Sequence, residues 1–106
     1  MPKKETGSMS MLVLALLKEK EMYGYQIIEE LERRSNKVFQ LKEGTLYPVL
    51  HGLEKDRLVA AREAETVKGR VRRYYAITPK GLRALEEKKA EWQTFSSAVT
   101  AILAGA

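Results

Sequence analysis

The stretch Lys42-Glu43-Gly44-Thr45-Leu46-Tyr47-Pro48-Val49-Leu50-His51-Gly52-Leu53-Glu54-Lys55 decides the fold. Leu46, Leu50 and Leu53 recur at i, i+4 and i+7, the spacing of a one-sided apolar stripe on a helix. Thr45, Tyr47, Pro48 and His51 lie off that stripe, mostly in what should be the first turns. Proline is tolerated near a helix start, where backbone N–H groups lack partners, and is costly further in. Pro48 therefore marks the start of the helix as close by. Gly44 carries no side chain, so another surface can come near the backbone there. A slim polar start backed by leucine suits insertion into a groove. Taken alone, the stretch also reads as an ordinary packed helix with a proline in its first turn, and its neighbours must decide.

Downstream, two strands are expected over residues 58–65 and 71–77. The second alternates, with Val71, Arg73, Tyr75 and Ile77 on one face and Arg72, Tyr74 and Ala76 on the other. Thr66-Val67-Lys68-Gly69-Arg70 reads as the hairpin tip, with glycine at the turn. Lys68, Arg70, Arg72 and Arg73 crowd this hairpin, and no acid interrupts them between Thr66 and Ile77. Long cationic side chains on a slim support are what phosphate contact needs. Arginine suits two-pronged contact with phosphate or a base edge, and the Tyr74 hydroxyl can add a donor. Exposed hairpins also carry Lys and Arg to discourage edge pairing. The groove-sized helix immediately before this hairpin favours nucleic acid.

Upstream, residues 1–7 read as a flexible tail. Ser8 or Ser10 can cap a helix over residues 11–20 that is apolar nearly all round and belongs in the core. Glu21-Met22-Tyr23-Gly24 reads as a short break. A second helix follows to about Arg34, with Ile27, Ile28 and Leu31 inward and Glu29, Glu30, Glu32 and Arg33 outward. Ser35-Asn36-Lys37 carries turn chemistry, and residues 38–41 read as a short extended piece. Tyr23 and Tyr25 bracket Gly24. They read either as core or hinge packing, or as a phosphate contact through hydroxyl or backbone N–H groups at the start of the second helix.

Beyond the hairpin, Thr78-Pro79 is a strong helix start, a capping threonine followed by proline at the first helical position. The helix should run to about Leu103. Leu85, Trp92 and Val99 stand seven apart, and Lys88, Phe95 and Ile102 form a second heptad position. The helix can pack on its own domain or on a second subunit. Its length and the apolar residues of its second half favour the latter. The interface is expected to join the first and last helices of both copies, with Leu12 and Leu16 beside Leu85, Trp92, Phe95, Val99 and Ile102.

These readings combine into a mainly α fold with a small β-hairpin: a winged helix-turn-helix over residues 8–78 and a C-terminal dimerisation helix over 79–106. In such folds the third helix enters the DNA major groove and the hairpin flanks it. A chain of 106 residues with a net charge of +5 and a pI near 9.5 fits one domain with an acidic partner. It has no cysteine and so no disulfide or thiolate metal site. The apolar run at 9–17 is too short to span a bilayer, and the acids around it argue against a secretory leader. His51, the single histidine, has no second ligand at metal-binding spacing and is expected to face DNA. No phosphate loop, nucleophile–base pair or cofactor fingerprint is present, so no enzyme activity and no cofactor are expected.

The residues also carry a resemblance. Leu14-Ala15-Leu16-Leu17, Met22-Tyr23-Gly24-Tyr25, Glu43-Gly44-Thr45-Leu46-Tyr47-Pro48 and Arg72-Arg73-Tyr74-Tyr75-Ala76-Ile77-Thr78, in this order, resemble the PadR family of bacterial and archaeal transcriptional regulators, in its short subfamily. With Gly81, Leu85 and Trp92 the similarity covers about residues 9–103. It implies a cytoplasmic, homodimeric winged-helix DNA binder, usually a repressor, whose third helix reads an inverted repeat. Some members release DNA on binding an aromatic or other hydrophobic effector near the dimer centre, and Trp92 matches a position that lines that site in relatives. Val71 and Gly52 depart from the family, which often has basic residues at both places.

On this reading Lys42, Gly44, Thr45, Tyr47, Pro48 and His51 meet the major groove of double-stranded DNA. Lys68, Arg70, Arg72, Arg73 and Tyr74 hold backbone, and Tyr23 and Tyr25 touch a phosphate. The rival reading is a winged helix used as a protein-interaction module, its basic wing meeting an acidic partner and binding DNA only non-specifically.

Overall fold

The computed structural model describes residues 2–105, with side chains from Ser8 onward. The order is α1 (Pro2–Glu19), β1 (Met22–Tyr23), α2 (Gly24–Arg34), α3 (Glu43–Lys55), β2 (Val59–Glu65), β3 (Val71–Ile77) and α4 (Pro79–Leu103). α1 starts ahead of the expected serine cap, and Ser10 is buried. The flexible tail expected over residues 1–7 lies outside the residues described with side chains. Val13, Leu14, Leu16 and Leu17 bury one side of α1 in the core and Met11 and Leu12 are half-buried, while Ala15 is exposed, so the helix packs by one face and is not covered all round as its apolar sequence suggests.

Met22-Tyr23 corrects the sequence reading. It is a third strand, paired antiparallel to β3 with Met22 opposite Tyr75 and Tyr23 opposite Tyr74. The sheet order is β1-β3-β2, so β3 is central. Two residues are too few to show a period of two, and this strand exists only because β3 offers it an edge. β3 keeps the expected alternation, with Tyr75 buried in the core.

In α3, Leu46, Val49, Leu50 and Leu53 form the buried stripe, with Val49 added to the three leucines expected. Pro48 lies inside the helix and not in its first turn, since the helix begins at Glu43 behind an extended Lys42. Proline there forgoes one α-type bond, and the buried stripe on either side carries the helix through. The preceding turn holds Asn36 and Lys37 at φ 53° and 69°. The Ser35 hydroxyl accepts from the Phe39 N–H at 2.9 Å, and no strand forms at 38–41.

The wing tip closes as expected. The Thr66 N–H donates to the Arg70 carbonyl at 2.8 Å and the Gly69 N–H to the Thr66 carbonyl at 2.9 Å, with Gly69 at φ 78°. At the other end of the hairpin, Thr78 caps α4 by accepting from the Gly81 N–H at 3.0 Å. Its own hydroxyl points back between the carbonyls of Arg57, 2.8 Å away, and Leu58, 3.0 Å away. The Lys80 ammonium donates to the Asp56 carbonyl at 3.1 Å. The turn that ends α3 and the turn that starts α4 are therefore one clamp.

Leu16 and Leu85, expected at a subunit seam, are only 5% and 1% exposed and belong to the chain's own core. The heptad pattern of α4 divides at Leu85. Up to Leu85 it faces α1 and the sheet; beyond Leu85 none of its described residues is buried.

Candidate nucleic-acid interface

The slim half of α3 stands free of the core. Lys42, Gly44, Thr45, Tyr47, Pro48 and His51 are all exposed. The rings of Tyr47 and His51 lie 6.0 Å apart. Gly24, at the start of α2, faces the other side of Tyr47: a Cβ there would sit 3.5 Å from the Tyr47 hydroxyl. Tyr47 is thus both part of the outer surface and the spacer between the two helices of the helix-turn-helix. Tyr25 is 56% exposed, which places it outside the core.

The wing cations fall into two groups. Arg73 donates to Glu54 of α3 at 2.7 Å, and its guanidinium lies 5.8 Å from the Tyr75 ring centroid. The Glu54 carboxylate raises Arg73 above its ordinary pKa. Arg73 therefore ties the wing to α3. By contrast, Lys68, Arg70 and Arg72 have no ion-pair partner among the described residues. Lys68 and Arg70 occupy the exposed tip. Arg72 lies over the Tyr23 ring, 4.3 Å from its centroid. Tyr74, next on that face, meets the Tyr23 ring edge-on with centroids 5.5 Å apart.

Three residues to which sequence analysis assigns no role in binding complete this surface. Arg62 covers the Tyr74 ring at 5.2 Å and donates through Nε to Glu21 at 3.0 Å. Its guanidinium holds the Glu21 carboxyl below the usual carboxylate range. Glu54 holds Arg73. These partners are 41 and 19 residues apart in the chain. The available signal was the strand register, which sets Arg62 opposite Tyr74, and the helical spacing that puts Glu54 at the end of α3 nearest the sheet.

Elsewhere, Trp92 and Phe95 lie 6.0 Å apart on α4, each about half exposed. Ile102 is 77% exposed, Val99 is partly covered, and Leu12 rests partly buried against the core. Among the described residues no group of three or more His, Cys, Asp or Glu could hold a metal ion, and no helix is long and apolar enough to cross a membrane.

Comparison with known proteins agrees with this geometry. The profile of the Transcriptional regulator PadR-like family matches residues 13–87. Transcriptional regulator Rv3488 of Mycobacterium tuberculosis is 41% identical over 71 residues, covering 67% of this chain and 63% of that one. The crystal structure of a PadR-like transcriptional regulator (BC4206) from Bacillus cereus superposes with a TM-score of 0.78 at 32% identity, covering 92% of each chain. A transcriptional regulator from Clostridium thermocellum gives 0.82 at 31% identity, over 89% of this chain and 91% of its own.

Proposed function

The chain belongs to the PadR-like family of transcriptional regulators, and on that premise we propose that it is a homodimeric, cytoplasmic repressor that reads an inverted repeat. The family makes it a DNA-binding regulator with a winged-helix fold. The observation that carries the finer reading is the division of labour in the wing. One arginine is bound to α3, and three cations have no acidic partner among the described residues, beside a helix whose outer face is slim and polar. Lys42, Thr45, Tyr47 and His51 would meet base edges, with Gly44 and Pro48 keeping the helix thin. Lys68, Arg70 and Arg72 would meet phosphates. Tyr25, exposed at the start of α2, would face the flanking backbone. Two such heads, joined through Trp92, Phe95, Val99 and Ile102 with Leu12 alongside, would sit about one helical turn of DNA apart, roughly 34 Å.

The test is DNA binding across a salt series, comparing the duplex upstream of the protein's own gene with a scrambled duplex. A preference of at least about tenfold with a protected inverted repeat is the expected result. Equal, weak and steeply salt-dependent binding to both would overturn sequence reading. It would favour the module that meets an acidic protein instead.

The exposed Trp92–Phe95 pair supports a second reading within the same dimer, an aromatic or hydrophobic effector site whose occupancy respaces the heads. Titrating planar hydrophobic compounds while following Trp92 fluorescence checks it. Quenching that saturates at one molecule per dimer supports the site, and a flat response across the compounds makes Trp92 interface filler.

A further inference from the structure

The open face of the sheet carries one residue from each strand in a single row. The register sets Tyr23 of β1 and Arg62 of β2 on either side of Tyr74 of β3. Residues directly opposite in antiparallel pairs share a face. The Tyr74 ring meets the Tyr23 ring edge to face at 79°, the preferred arrangement of two aromatic quadrupoles. Arg62 lies over the Tyr74 ring, 5.2 Å from its centroid, and is fastened to Glu21, just ahead of β1. The Tyr74 ring is thus held between Tyr23 and Arg62, and Arg62 is anchored to Glu21.

Arg72 is two residues from Tyr74 and therefore on the same face. It is half-buried. Its guanidinium carbon is 4.3 Å from the Tyr23 centroid, closer than either of the other arginine–tyrosine contacts on the sheet. Arg62 and Arg73 each give their charge to a carboxylate. Arg72 has none among the described residues. A guanidinium stacked flat on a ring keeps its in-plane N–H groups available, since the ring takes the π face and the donors lie at the edge.

We propose that Tyr23 is a positioning residue for DNA binding: its ring is a platform that holds Arg72 over it, with the guanidinium donors ready for a backbone phosphate. The proposal rests on the DNA-binding reading above and deepens it. Tyr23 acts through Arg72 and not through its own hydroxyl. An arginine that folds into its bound orientation loses no further side-chain freedom when the phosphate arrives. This also gives β1 a purpose that its length does not suggest, since two residues of strand suffice to set one ring beneath one guanidinium.

The experiment uses the full chain and one duplex of mixed sequence, with affinities measured across a salt series. Tyr23→Phe keeps the ring and should bind within about twofold of wild type. Tyr23→Leu removes the platform and should weaken binding about two- to fivefold, the range of an exposed cation–π contact. Phenylalanines of increasing fluorination at position 23 keep the shape while draining the ring quadrupole, and affinity should fall with each step. In an Arg72→Ala background none of these changes should matter further. Arg72→Ala itself should lower the salt slope by about one, whereas the position 23 variants leave the slope in place. A Tyr23→Phe loss as large as that of Tyr23→Leu would assign the hydroxyl to DNA and overturn the proposal. So would a flat fluorination series, which also covers the case of a Tyr23→Leu chain that fails to fold. Wild-type chain that binds no duplex overturns the DNA-binding reading itself, a result distinct from binding that ignores the ring.

Discussion

Two glycines occupy helices of this chain for opposite reasons. A Cβ at Gly81 would lie 2.1 Å from the Leu58 carbonyl oxygen and 2.7 Å from Ile77. The backbone there cannot yield without opening the Thr78 clamp. Gly81→Ala should therefore lose at least about 2 kcal/mol, as overpacked sites do, read from denaturant unfolding. A Cβ at Gly52 meets nothing within 4 Å, although the residue sits inside α3. Glycine in a helix interior costs about 0.5–1 kcal/mol against alanine, so Gly52→Ala should stabilise the free chain by that amount in the same experiment. An unfolding midpoint that falls would mean that α3 packs differently from the arrangement described. The distinction was invisible in sequence. Gly81 was noticed only through the family resemblance, and Gly52 only as a departure from it. What separates them is the Leu58 carbonyl, brought up by a turn that sequence spacing does not report.

Helices α1–α4, the hairpin and its glycine turn followed from hydrophobic period, Thr78-Pro79 and the charge run, because those signals are local. β1 did not, since its pairing is supplied by a strand far along the chain. The ion pairs that fix one element to another were equally hidden. Arg73–Glu54 joins the wing to α3, and it makes a prediction at this level. Glu54→Gln removes a negative charge from α3, the helix proposed to meet DNA, and frees Arg73. Non-specific affinity should rise and the salt slope should steepen by up to about one. An unchanged slope would show that Arg73 never reaches phosphate. α2 is strapped to α1 by a second set. Arg33 and Arg34 both donate to Glu30, and Arg34 also holds Glu19 of α1 at 2.6 Å. Hydrogen bonds from Arg33 and then Arg34 lower Glu30 to a pKa of about 2. A lowered folded-state pKa means a contribution that is complete above the unfolded value, about 4.3, and is lost as pH falls through about 2. The stability gap between wild type and Glu30→Gln should thus be constant near neutrality and close between pH 4 and 2. A gap that persists at the acid end would detach Glu30 from its arginines.

As a whole the molecule measures 59 × 29 × 24 Å, long because α4 continues after its last buried residue, Leu85. The apolar side chains beyond that point, Trp92 to Ile102, are the part of the proposed interface that remains after Leu16 and Leu85 are assigned to the core. Sedimentation should give twice the 12.1 kDa chain mass, and Ile102→Asp should shift the equilibrium toward a folded monomer with unchanged far-UV circular dichroism. A variant that stays dimeric would move the interface elsewhere. The Thr78 clamp has a mechanical consequence. Because one hydroxyl secures both the end of α3 and the start of α4, the long helix is a lever whose fulcrum is the base of α3. From Pro79 to Leu103 α4 extends roughly 36 Å at 1.5 Å per residue. A tilt of about 10° at the fulcrum displaces the tip by about 6 Å, more than the 3.4 Å step between neighbouring base pairs. In the proposed dimer, operator spacing would thereby be geared to a few atoms around Thr78, and small changes there would retune which repeats a pair of chains could straddle.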